Sequence, residues 1–185
     1  YVILYAAGRF AAPIPLAETI LAGWLLDQAG MEIPDGVLSI VPNSEDISVS
    51  GEMISGGAIN VPWARQADYL VGICRGDGGI LVFCAPSTSF KANADYNIAR
   101  EPRDEVFFDG NVVKGTPPGE FTVETIQLYG ALVRAGQMAG ALERIVEDTL
   151  QYTADRTQFG NPIGKFQVIQ QNLAMTAAEV AAAVM

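Results

Sequence analysis

The stretch DRTQFGNPIGKFQVIQQ, Asp155–Gln171, joins two long helical patterns and concentrates side chains that could bind a ligand. Arg156 carries a permanently charged, forked guanidinium suited to phosphate or carboxylate. Phe159 is a large aromatic residue in a corner whose Gly and Pro already suffice for the turn. The amides of Gln158 and Gln167 can both donate and accept hydrogen bonds. The cluster predicts a site for a bulky, phosphate-bearing, partly aromatic ligand; the alternative is a solvated joint between two helices.

Net charge and composition limit the classes of partner. The chain has 185 residues, 50% of them hydrophobic, and a formal net charge of −10. Because so acidic a chain repels phosphates, we expect no nucleic-acid or membrane partner, and a local cation must hold any anionic ligand. No stretch reaches the roughly eighteen apolar residues of a membrane span. The opening YVILYAAGRF lacks a basic signal-peptide region, and the closing AEVAAAVM breaks off within a helical pattern. We therefore expect an internal piece of a longer chain.

The lack of histidine narrows the chemistry. With His 0 in the sequence, a Ser-His-Asp triad, a Cys-His pair and the usual catalytic zinc sites are excluded. Carboxylate or cofactor chemistry remains, and we predict no metal site. The spacing of Cys74 and Cys84 fits no metal motif, and two cysteines are too few for a disulfide framework. The expectation is a reduced, cytoplasmic protein.

The elements that would position the corner begin with a helix. Pro15 suits a first helical turn, and apolar residues recur at helical spacing from Leu16 to Leu25. Gly30 can end this helix in the left-handed conformation. Residues 1–9 are expected to be the tail of an earlier helix.

Short β-strands are predicted between Val37 and Val113. Turn signals at Ser50–Glu52, Arg75–Gly79 and Asp109–Asn111 separate their apolar runs. The expected strands are Val37–Val41, Ile47–Val49, Tyr69–Cys74, Ile80–Cys84, Val106–Phe108 and Val112–Val113. Because no helices intervene, they predict an antiparallel barrel or sandwich.

Two long helices are predicted after the strands. Thr122 can cap the first, and Gly136 and Gly140 lie one turn apart on it, where they would let another helix approach closely. Apolar stripes run along both helices, at Leu128, Leu132, Ala135, Ala139, Leu142, Val146 and Leu150 and at Phe166, Ile169, Leu173, Ala177, Val180 and Val184. The whole order predicts an α+β fold that ends in the long antiparallel helices of an incomplete four-helix-bundle domain.

Residues Tyr152–Ala174, with the pattern Y-x-x-x-R-x-Q-F-G-x-P-I-x-x-F-Q-x-x-Q-x-x-L-A, resemble the signature of the acyl-CoA dehydrogenase family. AGQMAGALER, Ala135–Arg144, resembles the first long helix of that family's third domain. VPWARQADYLV, Val61–Val71, resembles a strand segment of its middle domain. The resemblance implies three domain segments: residues 1–34 end an N-terminal helical domain, 35–118 form a middle β domain, and 119–185 start a C-terminal helical-bundle domain.

By that resemblance the corner contacts FAD, which the family binds between two subunits. Arg156 would hold the pyrophosphate across the subunit interface. Gln158 and Phe159 would contact the ADP part of the neighbour's FAD, and Gly160 would let the corner turn. The same adenosine pocket would be lined by Ile163, Phe166 and Gln167.

Two middle-domain segments depart from the family pattern. The region matching the family's Thr-Glu-Pro and Gly-Ser-Asp segment, near the flavin and the acyl chain, reads SIVPNSEDISVSG, Ser39–Gly51. The family's Trp-x-Thr/Ser-Asn run, where the flavin ring stacks, is replaced by Asn60-Val61-Pro62-Trp63. Pro62 has no N–H to offer, and Trp63 fits a core or barrel-rim position better than a flavin platform. We therefore expect that this chain has lost the half of the FAD site that the family's middle domain supplies.

The resemblance leaves the catalytic residue unassigned. The family's catalytic Glu lies in a late loop or on the first long helix, where the matching position here is Gly130. Glu124 and Glu143 fit solvated helix charges better than catalytic bases.

The activity that the resemblance implies is FAD-dependent oxidation of an acyl-CoA to the 2,3-enoyl-CoA. It also implies a homo- or hetero-oligomer, in which a second acyl-CoA dehydrogenase-like subunit could take part, and an electron-transfer flavoprotein-type acceptor. The alternatives are a catalytically silent subunit that completes a partner's FAD site and a flavin monooxygenase on the same fold.

Overall fold

The computed structural model describes residues 1–76, 79–117 and 121–184. Within them, the helices are α1 Val2–Arg9, α2 Leu16–Gln28, α3 Val123–Asp155 and α4 Gln167–Val184. The strands are β1 Leu38–Ile40, β2 Ile47–Ser50, β3 Met53–Pro62, β4 Tyr69–Gly76, β5 Gly79–Pro86, β6 Phe90–Asn93, β7 Arg103–Asn111, β8 Val113–Gly115, β9 Thr157–Gln158 and β10 Asn161–Pro162. The chain divides into two compact units: a helical unit of residues 1–12 and 132–185, and a sheet unit of residues 13–131. The three predicted domain segments stay a prediction.

The sheet unit contains a single curled sheet in which strands run in the order β6-β7-β3-β2-β4-β5-β8, with β1 beside β4. Neighbouring strands are antiparallel, except that β4 pairs in parallel with β1 and with β2. The predicted α+β class is confirmed, but the sheet is mixed where the sequence predicted a wholly antiparallel one. The β2–β3 hairpin separates β1 from β4 along the chain, and a connection of that length allows parallel pairing.

Two hydrophobic clusters cover the two faces of this sheet. Phe83, Val106 and Phe108 belong to one cluster, and helix α2 contributes Leu25 and Leu26 to the other. Successive side chains of a strand point to opposite faces, so the buried strands read as continuous apolar runs.

The two cysteines follow the same alternation. Cys74 lies in the first cluster and Cys84 in the second, and both are free and buried. Burial raises the pKa of the Cys84 thiol to about 11, and burial raises the pKa of Cys74 as well. Both thiols therefore stay protonated at neutral pH and are poor nucleophiles.

Several predicted boundaries are confirmed. Helix α2 begins directly after Pro15, and Gly30 follows it with a φ of +64°. The N–H of Thr125 donates to the hydroxyl of Thr122 at 3.3 Å, which caps the start of α3. Gly51 turns the chain between β2 and β3 with a φ of +60°.

Other sequence predictions for the sheet are wrong or incomplete. The turn predicted at Asp109–Asn111 is instead the end of β7, where Gly110 pairs with Ile54. A Cβ at Gly110 would lie 2.7 Å from the Cα of Ser89, so glycine is needed here for close packing and not for a turn. Strands β3 and β6 were not predicted. In the loop predicted at Arg75–Gly79, β4 ends at Gly76 and β5 begins at Gly79, and residues 77 and 78 lie outside the described residues.

In the helical unit, α1 crosses α3 at two glycines. A Cβ on Gly140 would lie 2.0 Å from the carbonyl oxygen of Tyr5, and a Cβ on Gly8 would lie 1.8 Å from that of Gln137. Arg9 pairs with Glu143 at 2.8 Å just beyond this contact. The predicted close helix packing at Gly140 is confirmed, and its partner is α1.

Candidate functional site

The residues that follow α3 form a tight hairpin, here called the corner hairpin, residues 156–162. In it β9 pairs with β10, so that Gln158 faces Asn161, and Phe159 and Gly160 form the tip. The N–H of Ile163 donates to the carbonyl of Arg156 at 2.8 Å and closes the base. The hairpin is therefore a defined structure and not a loose joint.

The tip residue Phe159 has an unfavourable backbone conformation. Its φ is +52°, and the φ of Gly160 is +78°. Two-residue hairpin turns with positive φ at both positions favour Asn or Gly, because a bulky side chain there is strained by about 1–3 kcal/mol. The side chain of Phe159 is also 92% exposed, so burial does not offset the strain. Its ring meets only that of Phe166 among the described aromatic pairs, edge-on with centroids 6.4 Å apart.

Arg156 is exposed in the same hairpin and makes no ion pair within residues 1–76, 79–117 and 121–184. Its acidic neighbour is engaged elsewhere, because the carboxylate of Asp155 accepts a hydrogen bond from Gln151 at 2.8 Å. The backbone N–H of Arg156 donates to Tyr152 at 2.9 Å, which fixes the base of the side chain. The guanidinium is thus available to an anion.

The remaining predicted residues surround the hairpin. Gln158 and Gln167 are exposed, Phe166 is partly exposed, and Ile163 is half-buried. Sequence reasoning missed Lys165, an exposed second cation in the short 3₁₀ turn that follows the hairpin. Lys165 could have been found from the sequence, because no other Lys or Arg follows Arg156.

These side chains fit a phosphate-bearing aromatic ligand such as FAD. The corner offers an unpaired guanidinium for phosphate, an exposed ring for stacking and amides for hydrogen bonds. The predicted assignment of each residue to a part of FAD stays a prediction.

The sheet unit holds a cavity of about 340 Å³. Loop residues of the Ser39–Gly51 segment form one side of it, and β3 and β7 form the others. The residues that line it are Asn43, Glu45, Asp46, Gly57, Ala58, Ile59, Glu105, Val106 and Phe107. It carries three carboxylates and no cation, so its chemistry is opposite to that of the corner hairpin.

Trp63 lies at the end of β3, and its backbone also has a positive φ, +54°. Its N–H donates to the carbonyl of Pro102 at 3.4 Å, and the side chain is half-buried. Trp63 directly precedes the 3₁₀ turn of residues Ala64–Gln66.

Glu124 and Glu143, the two carboxylates weighed as catalytic bases in the sequence, both lie on α3 and outside the corner hairpin. Glu124 is exposed, and Glu143 pairs with Arg9. The buried carboxylate of Asp104 pairs with Arg65 at 2.8 Å and also accepts a hydrogen bond from the backbone N–H of Arg65 at 3.0 Å. Such a neutralised pair fixes the turn after β3 rather than moving a proton. In the described part of the chain, no cluster of His, Cys, Asp or Glu could hold a metal ion.

Among the described helices, none combines the length and the apolar character that crossing a membrane requires.

Comparison with known proteins identifies relatives. The family model for the acyl-CoA dehydrogenase C-terminal domain matches residues 123–185. An acyl-CoA dehydrogenase IpdE2 of Mycolicibacterium smegmatis is 42% identical over 29% of this chain and 17% of its own length. A glutaryl-CoA dehydrogenase of Desulfococcus multivorans is 25% identical over 83% of this chain and 44% of its own length.

Solved structures share the fold over nearly the whole chain. The ChsE4–ChsE5 complex from Mycobacterium tuberculosis matches with a TM-score of 0.81 and 22% identity, over 97% of this chain and 56% of that chain. A glutaryl-coenzyme A dehydrogenase in complex with glutaryl-CoA matches with a TM-score of 0.81 and 20% identity, over 98% of this chain and 57% of that chain. This chain therefore spans little more than half the length of these solved relatives. The family-model match covers α3, the corner hairpin and α4, so these residues resemble the acyl-CoA dehydrogenase C-terminal domain. The solved structures show that the chain shares the fold of a glutaryl-coenzyme A dehydrogenase.

Proposed function

We propose that this chain is part of an FAD-dependent acyl-CoA dehydrogenase subunit that oxidises an acyl-CoA thioester to the 2,3-enoyl-CoA. The observation that carries the proposal is the strained, exposed Phe159 in the same hairpin as the unpaired Arg156. Neither feature stabilises the fold by itself, and both lie within residues 123–185, which match the family's C-terminal domain. The names of the relatives, acyl-CoA dehydrogenase and glutaryl-CoA dehydrogenase, support the reaction class.

When bound, FAD would supply the hydride acceptor for this oxidation. The chain's own contribution is to bind and orient the cofactor. Arg156 would pair with the pyrophosphate, because guanidinium–phosphate hydrogen bonds are charge-assisted and can be bidentate. Phe159 and Gln158 would contact the ADP part. The adenosine pocket would be completed by Gly160, Ile163, Phe166 and Gln167.

The exposure of the corner hairpin supports an oligomer. A ring that is 92% exposed offers one face of a binding site and no enclosure. The rest of the FAD site would come from another subunit, either a second copy or a different acyl-CoA dehydrogenase-like chain. A solved structure with the same fold, the ChsE4–ChsE5 complex, is by its name an assembly of two differently named components, which supports the second arrangement.

Substituting Arg156→Ala in the purified oligomer tests the cofactor role. A charge-assisted hydrogen bond is worth about 1.5–3 kcal/mol, so we expect FAD affinity to fall by about 10- to 150-fold on titration. The matched control is Arg144→Ala, which removes an exposed Arg on α3 that pairs with Asp148 at 2.8 Å. FAD affinity unchanged in a folded Arg156→Ala protein would contradict the proposal.

A further inference from the structure

We infer that Thr153 and Gly164 are positioning residues for the FAD contact of the corner hairpin. Their close contact fixes the angle at which the hairpin leaves α3. It thereby sets where the ring of Phe159 and the guanidinium of Arg156 meet the cofactor. The inference rests on the proposed function, and it extends that function to two residues outside the hairpin.

Gly164 lies at the centre of the 3₁₀ turn Ile163–Lys165, which follows the hairpin. A Cβ on Gly164 would lie 3.1 Å from the carbonyl oxygen of Thr153 and 3.4 Å from its hydroxyl oxygen. Thr153 belongs to the last turn of α3 and is buried. The 3₁₀ turn therefore packs against the end of α3 with little room for a side chain between them.

The hydroxyl of Thr153 is held in place within α3. It donates a hydrogen bond to the carbonyl of Leu150 at 2.9 Å, and this bond fixes the rotamer of the side chain. Because the buried hydroxyl already has a partner, Thr153 offers Gly164 a fixed surface for packing rather than a hydrogen-bond donor.

Two contacts connect the 3₁₀ turn to the two ends of the hairpin. At the base, the N–H of Ile163 donates to the carbonyl of Arg156 at 2.8 Å. At the tip, the ring of Phe166, which directly follows the turn, lies 6.4 Å from the ring of Phe159. The N–H of Phe166 donates to the carbonyl of Ile163 at 3.1 Å, so both contacts belong to one short segment. A shift of the turn away from α3 therefore moves both contacts, and a binding site tolerates displacements of only about 0.5 Å.

Gly164→Ala tests this contact. Gly164 has no positive φ, so alanine suits its backbone, and the added methyl group must displace the turn or α3 by a few tenths of an ångström. We expect the affinity of the full-length oligomer for FAD to fall by about tenfold, which corresponds to about one lost hydrogen bond to a charged group. The midpoint of urea denaturation, measured without FAD, should change little, because alanine also lowers the entropy of the unfolded chain.

Gly136→Ala is the matched control, because a Cβ there would make an ordinary contact at 3.5 Å with Leu4 in the same helical unit. FAD affinity should stay at the wild-type value. A second pair of variants decides the question if Gly164→Ala does not fold. Thr153→Ala removes the hydroxyl next to Gly164 and should weaken FAD binding, whereas Thr153→Ser keeps the hydroxyl and should retain the wild-type affinity.

A double-mutant cycle separates positioning of the hairpin from general weakening of the fold. In an Arg156→Ala/Phe159→Ala protein, Gly164→Ala should have little further effect on FAD affinity, because the contacts that it displaces are already lost. An equal loss in both backgrounds would overturn the inference, as would wild-type FAD affinity in both Gly164→Ala and Thr153→Ala. Failure of the proposed function is a different result, in which Arg156→Ala alone leaves FAD affinity unchanged.

Discussion

Phe159 combines two unfavourable features in one residue: a left-handed backbone conformation and an aromatic ring that is largely exposed to solvent. A structure retains such strain where the surrounding contacts impose it, and strained residues of this kind cluster at ligand sites. The β9–β10 pairing and the Ile163–Arg156 hydrogen bond impose it here. Stability and cofactor binding should therefore respond to this side chain in opposite directions.

Phe159→Asn should separate the two effects. Asn tolerates positive φ, so we expect the free energy of unfolding to rise by about 1 kcal/mol. FAD retention in the oligomer should fall, because the ring that contacts the cofactor is lost. Chemical denaturation and flavin content of the purified protein measure the two effects.

Phe10→Asn is the control for that exchange, since Phe10 is 69% exposed with an ordinary φ of −97°. It should leave both quantities nearly unchanged. A Phe159→Asn protein that is less stable than the wild type would show that the ring stabilises the fold, and the binding argument would lose its basis.

The types of the corner residues could be predicted from the sequence, but their conformation could not. The Arg, Gln and Phe are contiguous in the sequence, whereas the sign of φ at Phe159 depends on how β9 and β10 pair. The acidic lining of the cavity in the sheet unit could not be predicted from the sequence for a different reason. Glu105 joins Glu45 and Asp46 only through the register of β3 and β7, in which Gly57 faces Phe107 and the pairing shifts between Ala58 and Val61.

Among the helices, the crossing of α1 and α3 depends on the absence of two side chains. At Gly140 and Gly8 the two backbones touch. A Cβ on Gly136 would lie 3.5 Å from the Cβ of Leu4. Arg9 also forms ion pairs with Glu143 and Glu147. Because these side chains are partly exposed, the two ion pairs contribute only modestly to stability.

Gly140→Ala should lower the free energy of unfolding by about 1–3 kcal/mol. The new methyl group would overlap the carbonyl of Tyr5 and force the two helices apart. Gly130→Ala on the same helix is the matched control, since a Cβ there meets nothing within 4 Å. It should stabilise α3 by up to about 1 kcal/mol through helix propensity. Thermal melting of both variants measures the contrast, and a stabilising Gly140→Ala would contradict the crossing.

The sequence predicted elements well where periodicity was uninterrupted, as in α2, α3, α4, β4 and β5. It failed for β3, whose Gly56 and Gly57 break the alternation of apolar residues. Gly56 is required there by the close approach of Asp46 and has a φ of +112°. Asp109–Asn111 reads locally as a turn, and pairing with β3 overrides that local preference.

For the whole molecule, the departure of the Ser39–Gly51 and Asn60–Trp63 segments from the family pattern predicts a cofactor count. If a second family member supplies the missing half, the complex should carry about one FAD per two chains, and this protein alone should bind little. Co-expression with the partner, followed by flavin absorbance and mass measurement, gives the ratio. A homo-oligomer purified alone with one tightly bound FAD per chain would overturn this count.

The helical unit is built from both ends of the sequence, since 134 residues separate Arg9 from Glu143. During synthesis at about 5–20 residues per second, α1 therefore leaves the ribosome roughly ten seconds before the helix it crosses has been made. In that interval its apolar side, including Leu4 and Ala7, has no partner from α3. The sheet unit is complete in sequence first, so the nascent chain carries this unit between α1 and the peptidyl-transferase centre before α3 has been made. Chaperone demand during translation should accordingly include α1.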